Sequence, residues 1–113
     1  MVERIKDYVC NNGFCDCYVS ISPEDIEKHL SGFRKFSFFF FDDISKFNQI
    51  TNLKKRKNGN AIILYSISSS DGFGKINEFV DFLEGNEISF NKYLKAVKIG
   101  NESEITVIVG WGE

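Results

Sequence analysis

Apolar positions along the chain follow two rhythms, one helical and one extended. Residues 2–11 place Val2, Ile5 and Val9 on one helical face and turn Glu3, Arg4, Lys6 and Asp7 outward. Asn11, Asn12 and Gly13 end that helix, because Asn and Gly tolerate the left-handed conformation of a C-terminal cap. "CDCYVSI", 15–21, holds short, branched and aromatic residues and predicts a strand. A helix start follows: Ser22 stands at the N-cap, Pro23 at the first helical position and Asp25 three residues after the cap. Ile26, Leu30 and Phe33 supply its apolar stripe, and Gly32 marks its end.

"RKFSFFFF", 34–41, fits a strand and not a helix. A helix would scatter the rings around its circumference. A strand divides them, with Phe36, Phe38 and Phe40 on one face and Ser37, Phe39 and Phe41 on the other. Both faces being apolar, a central strand covered on both sides is expected. Asp42 suits the N-cap of a following helix whose buried side is Ile44, Phe47, Ile50 and Leu53, and the capping role accounts for Asp42 and Asp43 without a metal. "AIILYSI", 61–67, reads as another interior strand. A helix over 75–84 presents Ile76, Phe79, Val80 and Leu83 inward. "KYLKAVKI", 92–99, and "ITVIV", 105–109, read as two strands joined by a turn, hence a hairpin. The fold class is α+β with α/β character. One domain over 1–113 holds a mixed, roughly five-stranded sheet, with helices packed on it and a C-terminal antiparallel hairpin.

Composition adds three constraints. Twelve Phe against one Met and one Pro means that rigid rings fill the interior. No stretch approaches the roughly 20 apolar residues of a membrane span, and "MVERIKDYV" contains no signal-peptide apolar block. A cytoplasmic location without membrane contact is therefore expected. Charge is placed unevenly: four of the fourteen basic residues lie together at Lys54–Lys57, leaving an otherwise acidic body with one basic loop. Direct nucleic-acid binding would show the opposite distribution.

The candidates for chemistry are few. Cys10, Cys15 and Cys17 are odd in number and read as buried reduced thiols. With His29 they match no common zinc spacing, so neither metal nor cofactor is expected. His29 reads as a partly buried, hydrogen-bonded histidine and not as the base of a nucleophile. "SSSDGFGK", 68–75, follows an interior strand and opens a helix, the location where open α/β sheets bind anions. Ser70, Gly72, Gly74 and Lys75 are its candidate ligand-binding residues. The loop departs from the Walker pattern, lacking the first glycine and carrying Ile76 in place of Ser/Thr, and an ordinary capped turn also accounts for it.

Residues 71–87 hold five acids and one base. Glu78, Asp81 and Glu84 recur at i, i+3, i+6 along one helical side, flanked by Asp71 and Glu87. Such an edge can steer a basic partner, although a solvated face would look the same. Through the acidic helix "KINEFVDFLEG" and the Phe-rich strand, the chain resembles the immunity proteins of bacterial toxin–immunity pairs, including those of contact-dependent growth inhibition. The likeness is one of general character: small size, an acidic and aromatic body, an α+β pattern and no catalytic motif. It implies a non-enzymatic inhibitor that covers the active site of a cognate toxin domain, such as a nuclease, with phosphate-mimicking acids. The basic loop at 54–57 is a departure and is expected to lie away from the interface. The alternative is a small α/β domain that binds a nucleotide or another anion at 68–75. Oligomeric state is left open.

Overall fold

The structure, a computed structural model, describes residues 1–17, 19–41, 59–68, 92–101 and 103–112. Two helices, α1 (Val2–Asn11) and α2 (Pro23–Leu30), precede four strands: β1 (Lys35–Phe41), β2 (Asn60–Ser68), β3 (Lys92–Gly100) and β4 (Glu104–Trp111). Both helices form where local signals place them. Ile5 and Val9 are the buried side of α1. In α2 the Ser22 hydroxyl accepts a hydrogen bond from the Asp25 N–H at 3.1 Å, Pro23 opens the helix, and Ile26 and Leu30 are buried.

The strands form one mixed sheet in the order β1-β4-β2-β3. β2 is parallel to β3 and antiparallel to β4, while β1 is antiparallel to β4. The expected C-terminal hairpin is thereby corrected. β2 lies between β3 and β4, and at its end the Ser103 hydroxyl accepts from the Ser68 N–H at 3.1 Å. Burial is the physical reason. Every residue of β2 from Ala61 to Ile67 is buried, so it takes a place with a neighbour on each side. β3 carries Lys92, Lys95 and Lys98 and suits the edge of the sheet.

Four strands are seen among the described residues, and the one expected over 15–21 is not among them. After α1 the chain turns at Gly13, whose φ of +86° only glycine adopts cheaply, and a disulfide joins Cys15 back to Cys10 with Cα atoms 4.8 Å apart. Residues 14–17 are therefore turn and bend, and Val19 makes a single bridge to Val97 in place of a ladder. Phe14, inside this turn, enters the core.

Two apolar layers clothe the sheet. On the helical side Ile5, Val9, Phe14, Ile26 and Leu30 pack on Ile62, Leu64, Ala96 and Ile108. On the opposite side Ile63, Tyr65, Ile67, Val97, Val107 and Val109 are buried as well. α2 approaches β4 so closely that a Cβ on Gly110 would lie 3.2 Å from the Leu30 side chain and 3.3 Å from Phe33. The helices expected over 44–53 and 75–84 lie outside the described residues. Among the described residues, no helix is long and apolar enough to cross a membrane.

Candidate interaction surface

All the residues singled out for binding, Asp71, Glu78, Asp81, Glu84 and Glu87 and the alternative set Ser70, Gly72, Gly74 and Lys75, lie outside the described residues. The strands on either side of them are placed. The chain leaves the sheet at Ser68 and re-enters at Lys92, at the opposite end, because β2 and β3 run parallel with Asn60 beside Lys92 and Ser68 beside Gly100.

A surface that the hydrophobic pattern did not disclose lies on β1. Among the described strands the Phe-rich strand is not central. It ends the sheet order and pairs only with β4 among the described residues. Its even-numbered rings share the helical side, since Phe36, Phe38 and Phe40 stand opposite Gly110, Ile108 and Thr106. Phe36 is partly buried against the core there. Beyond it the cover gives out, leaving Phe38 40% and Phe40 65% exposed. On the other side the strand is held firmly. Phe39 packs on the core, the Trp111 indole N–H donates to the Ser37 hydroxyl at 2.9 Å, and the Lys35 ammonium lies 4.8 Å from the Trp111 ring centre. The exposed rings thus sit on a well-anchored strand. Apolar residues on both faces are equally compatible with a covered strand and with one that offers rings to a partner, so the pattern alone had no means of separating the two.

A second feature is an open crevice of about 420 Å³ lined by Asn12, Gly13, Asp16, Cys17, Lys98 and the 99–100 segment. The Lys98 ammonium donates to the Asn12 carbonyl and lies 4.5 Å from the Phe14 ring centre, clasping the disulfide turn to β3. Cys17 is the one free cysteine, because Cys10 and Cys15 are bonded to each other, which corrects the expectation of three reduced thiols. Its Sγ donates to the Val19 carbonyl at 3.2 Å. Burial pushes the Cys17 thiol above its ordinary value, partly offset by backbone hydrogen bonding at Val19 and by the Lys98 ammonium.

That shift has a testable consequence. A folded thiol that holds its proton more tightly than the unfolded one contributes stability that is complete below the ordinary thiol range. The contribution is lost as pH rises through the folded value. Wild-type protein should therefore lose stability more steeply above about pH 9 than Cys17→Ala. Alkylation by iodoacetamide should reach half its limiting rate at higher pH than for a small free thiol. Equal alkaline slopes in urea titrations of the two proteins would contradict this.

His29 is part-buried and hydrogen-bonded as expected, its Nε2 2.8 Å from the Ala61 carbonyl, and the Asn60 amide donates to the His29 carbonyl at 2.8 Å. These bonds tie the end of α2 to the start of β2. They spend the histidine on the fold, while the hydrogen bonds of Cys17 go to the Phe14 and Val19 carbonyls. In comparison with known proteins, no family model matches this chain and no curated protein does.

Proposed function

We propose that this protein is a non-enzymatic, protein-binding inhibitor of the immunity type, which neutralises a cognate bacterial toxin domain by covering its active site. The supporting observation is the separate commitment of the three cysteines and the histidine. His29, the only histidine, bonds to Ala61; Cys17 bonds to Val19; Cys10 and Cys15 bond to each other. A Cys–His pair needs the two side chains within hydrogen-bond reach, and here each already has another partner. In this reading Asp71, Glu78, Asp81, Glu84 and Glu87 form the acidic surface that meets basic groups of the toxin. A cytoplasmic location goes with the reading, and the Cys10–Cys15 disulfide counts against it, since such bonds persist in oxidising compartments.

If the neighbouring reading frame encodes a toxin domain, co-production of that domain with this chain supplies the test. Reversing Glu78, Asp81 and Glu84 to lysine should slow association at low salt by about tenfold or more and leave the folded domain intact. Unchanged association and unchanged salt dependence would remove the acidic-surface mechanism. One observation favours the alternative, anion binding by Ser70, Gly72, Gly74 and Lys75: β2 is parallel to β3, so this loop starts at the carboxyl end of a parallel strand. A melting midpoint that rises with added nucleotide would favour that reading over the inhibitor.

A further inference from the structure

We propose that residues 10–17 form a thiol–disulfide switch, in which Cys17 takes Cys15 from Cys10 and thereby loosens the hold of Val19 on β3. All three cysteines of the chain stand in this short stretch. Cys10 and Cys15 are bonded to each other, and Cys17 is free. The Cys17 sulfur lies 3.6 Å from the Phe14 carbonyl, whose carbon is bonded to the Cys15 nitrogen. Cys15 and Cys17 both pack against the helical-side core. Cα atoms two residues apart are at most about 7 Å from each other even in an extended chain. Residues 14–17 are turn and bend, which draws them closer, within the roughly 4.4–6.8 Å that a disulfide spans.

The free thiol is also tied to the sheet. Its S–H donates to the Val19 carbonyl at 3.2 Å. The same carbonyl accepts from the Val97 N–H at 2.8 Å, and the Val19 N–H donates to the Val97 carbonyl at 3.0 Å. Cys17 thus steadies the pair of bonds that holds Val19 against β3. A sulfur in a disulfide has no S–H to give, so capture of Cys15 removes that support.

The exchange balances within the chain. The Cys17 thiolate attacks the Cys15 sulfur, and the Cys15–Cys17 bond forms as the Cys10–Cys15 bond breaks. Cys10 leaves as a thiolate and takes up the proton that Cys17 released, so no external oxidant or reductant is consumed. The resting form is Cys10–Cys15, because it keeps both the S–H bond to Val19 and the tie between α1 and the turn. Burial keeps the Cys17 thiol protonated; the Lys98 ammonium across the crevice opposes this, and the Asp16 carboxylate beside it reinforces it. Exchange therefore speeds up on the alkaline side, where the attacking thiolate forms.

The two forms are separable in acid, where exchange stops, and the full chain can be tested without any toxin. Reoxidation in urea yields both bonds, which peptide mapping identifies. Each form, moved alone into urea-free buffer with no added thiol or oxidant, should convert to the same mixture, with Cys10–Cys15 the major bond. The rate should rise about tenfold per pH unit below the thiol range and should not depend on protein concentration. Cys10→Ser, which has no resting bond, isolates the effect on the sheet. Oxidising its Cys15 and Cys17 to a disulfide should speed hydrogen exchange of the Val97 amide by about threefold or more relative to the reduced variant. A Cys10–Cys15 form that stays pure, or interconversion that needs urea, would overturn the switch. So would a rate that scales with protein concentration, or a Val97 amide indifferent to the Cys15–Cys17 bond.

Discussion

Truncating Ile62 or Ile63 to alanine will each lower the unfolding free energy by about 2–5 kcal/mol, the range for deleting a fully buried isoleucine. Both side chains have no exposed surface, yet they serve different layers: Ile62 packs with the helices and Ile63 with the opposite cluster. The lost apolar transfer energy and the cavity left behind add at each site. For a domain of this size the melting midpoint should fall by roughly 10 °C or more. Urea titration measures the effect, with Ile99→Ala as the control. Ile99 is 55% exposed on the edge strand β3, and its truncation should stay within about 0.5 kcal/mol of wild type. A cost at Ile63 as small as at Ile99 would show that the sheet is packed on its helical side only. Comparable costs at Ile62 and Ile63 would establish a sheet buried on both faces.

Reducing the Cys10–Cys15 disulfide should cost about 2 kcal/mol, the chain-entropy value for so short a loop. The bond closes the turn that carries Phe14 into the core. Phe14 is anchored at both ends there: its N–H donates to the Val9 carbonyl, and its carbonyl accepts from the Ile21 N–H, each at about 3 Å. Loss of the cross-link leaves those bonds available but releases the turn in the unfolded chain, so the penalty falls on the unfolded-state entropy. Cys10→Ser should match the dithiothreitol-treated wild type in midpoint, and Cys17→Ser should retain the response to dithiothreitol. Thiol titration in denaturant without reductant should count one free thiol. Three free thiols, or a midpoint indifferent to reductant, would remove the cross-link from the account of stability.

Several elements were legible because their causes are local. The i, i+3, i+7 spacing of Val2, Ile5 and Val9 and the Ser22-Pro23-Asp25 start each act within about two turns of chain, and both helices form there. β2 was legible as an interior strand because seven residues without a charge have nowhere else to go. His29 was legible as a structural group for a similar reason: it sits beside the apolar stripe of its own helix, where burial and a backbone partner come together. The candidate site was not legible in the same way. The acidic and glycine-containing residues of 70–87 were chosen on charge and spacing, and they lie outside the described residues. Exposure of Phe38 and Phe40 came from the arrangement of the strands.

By itself, the amino-acid sequence determined that α1 and α2 coil and that β1 to β4 extend, which residues are apolar enough to be buried, and where charge accumulates. These depend on propensity, capping and periodicity, all carried by neighbours in the chain. The tertiary structure alone decided which strand lies beside which. It placed β4 between β1 and β2, parted β3 from β4, put the Phe-rich strand at the end of the order among the described strands, and tied Cys15 back to α1 through a disulfide. Strand neighbours are chosen by competition among segments far apart in the chain. The winner is the arrangement that buries the most apolar surface with every central backbone group paired, a global condition that no local pattern records.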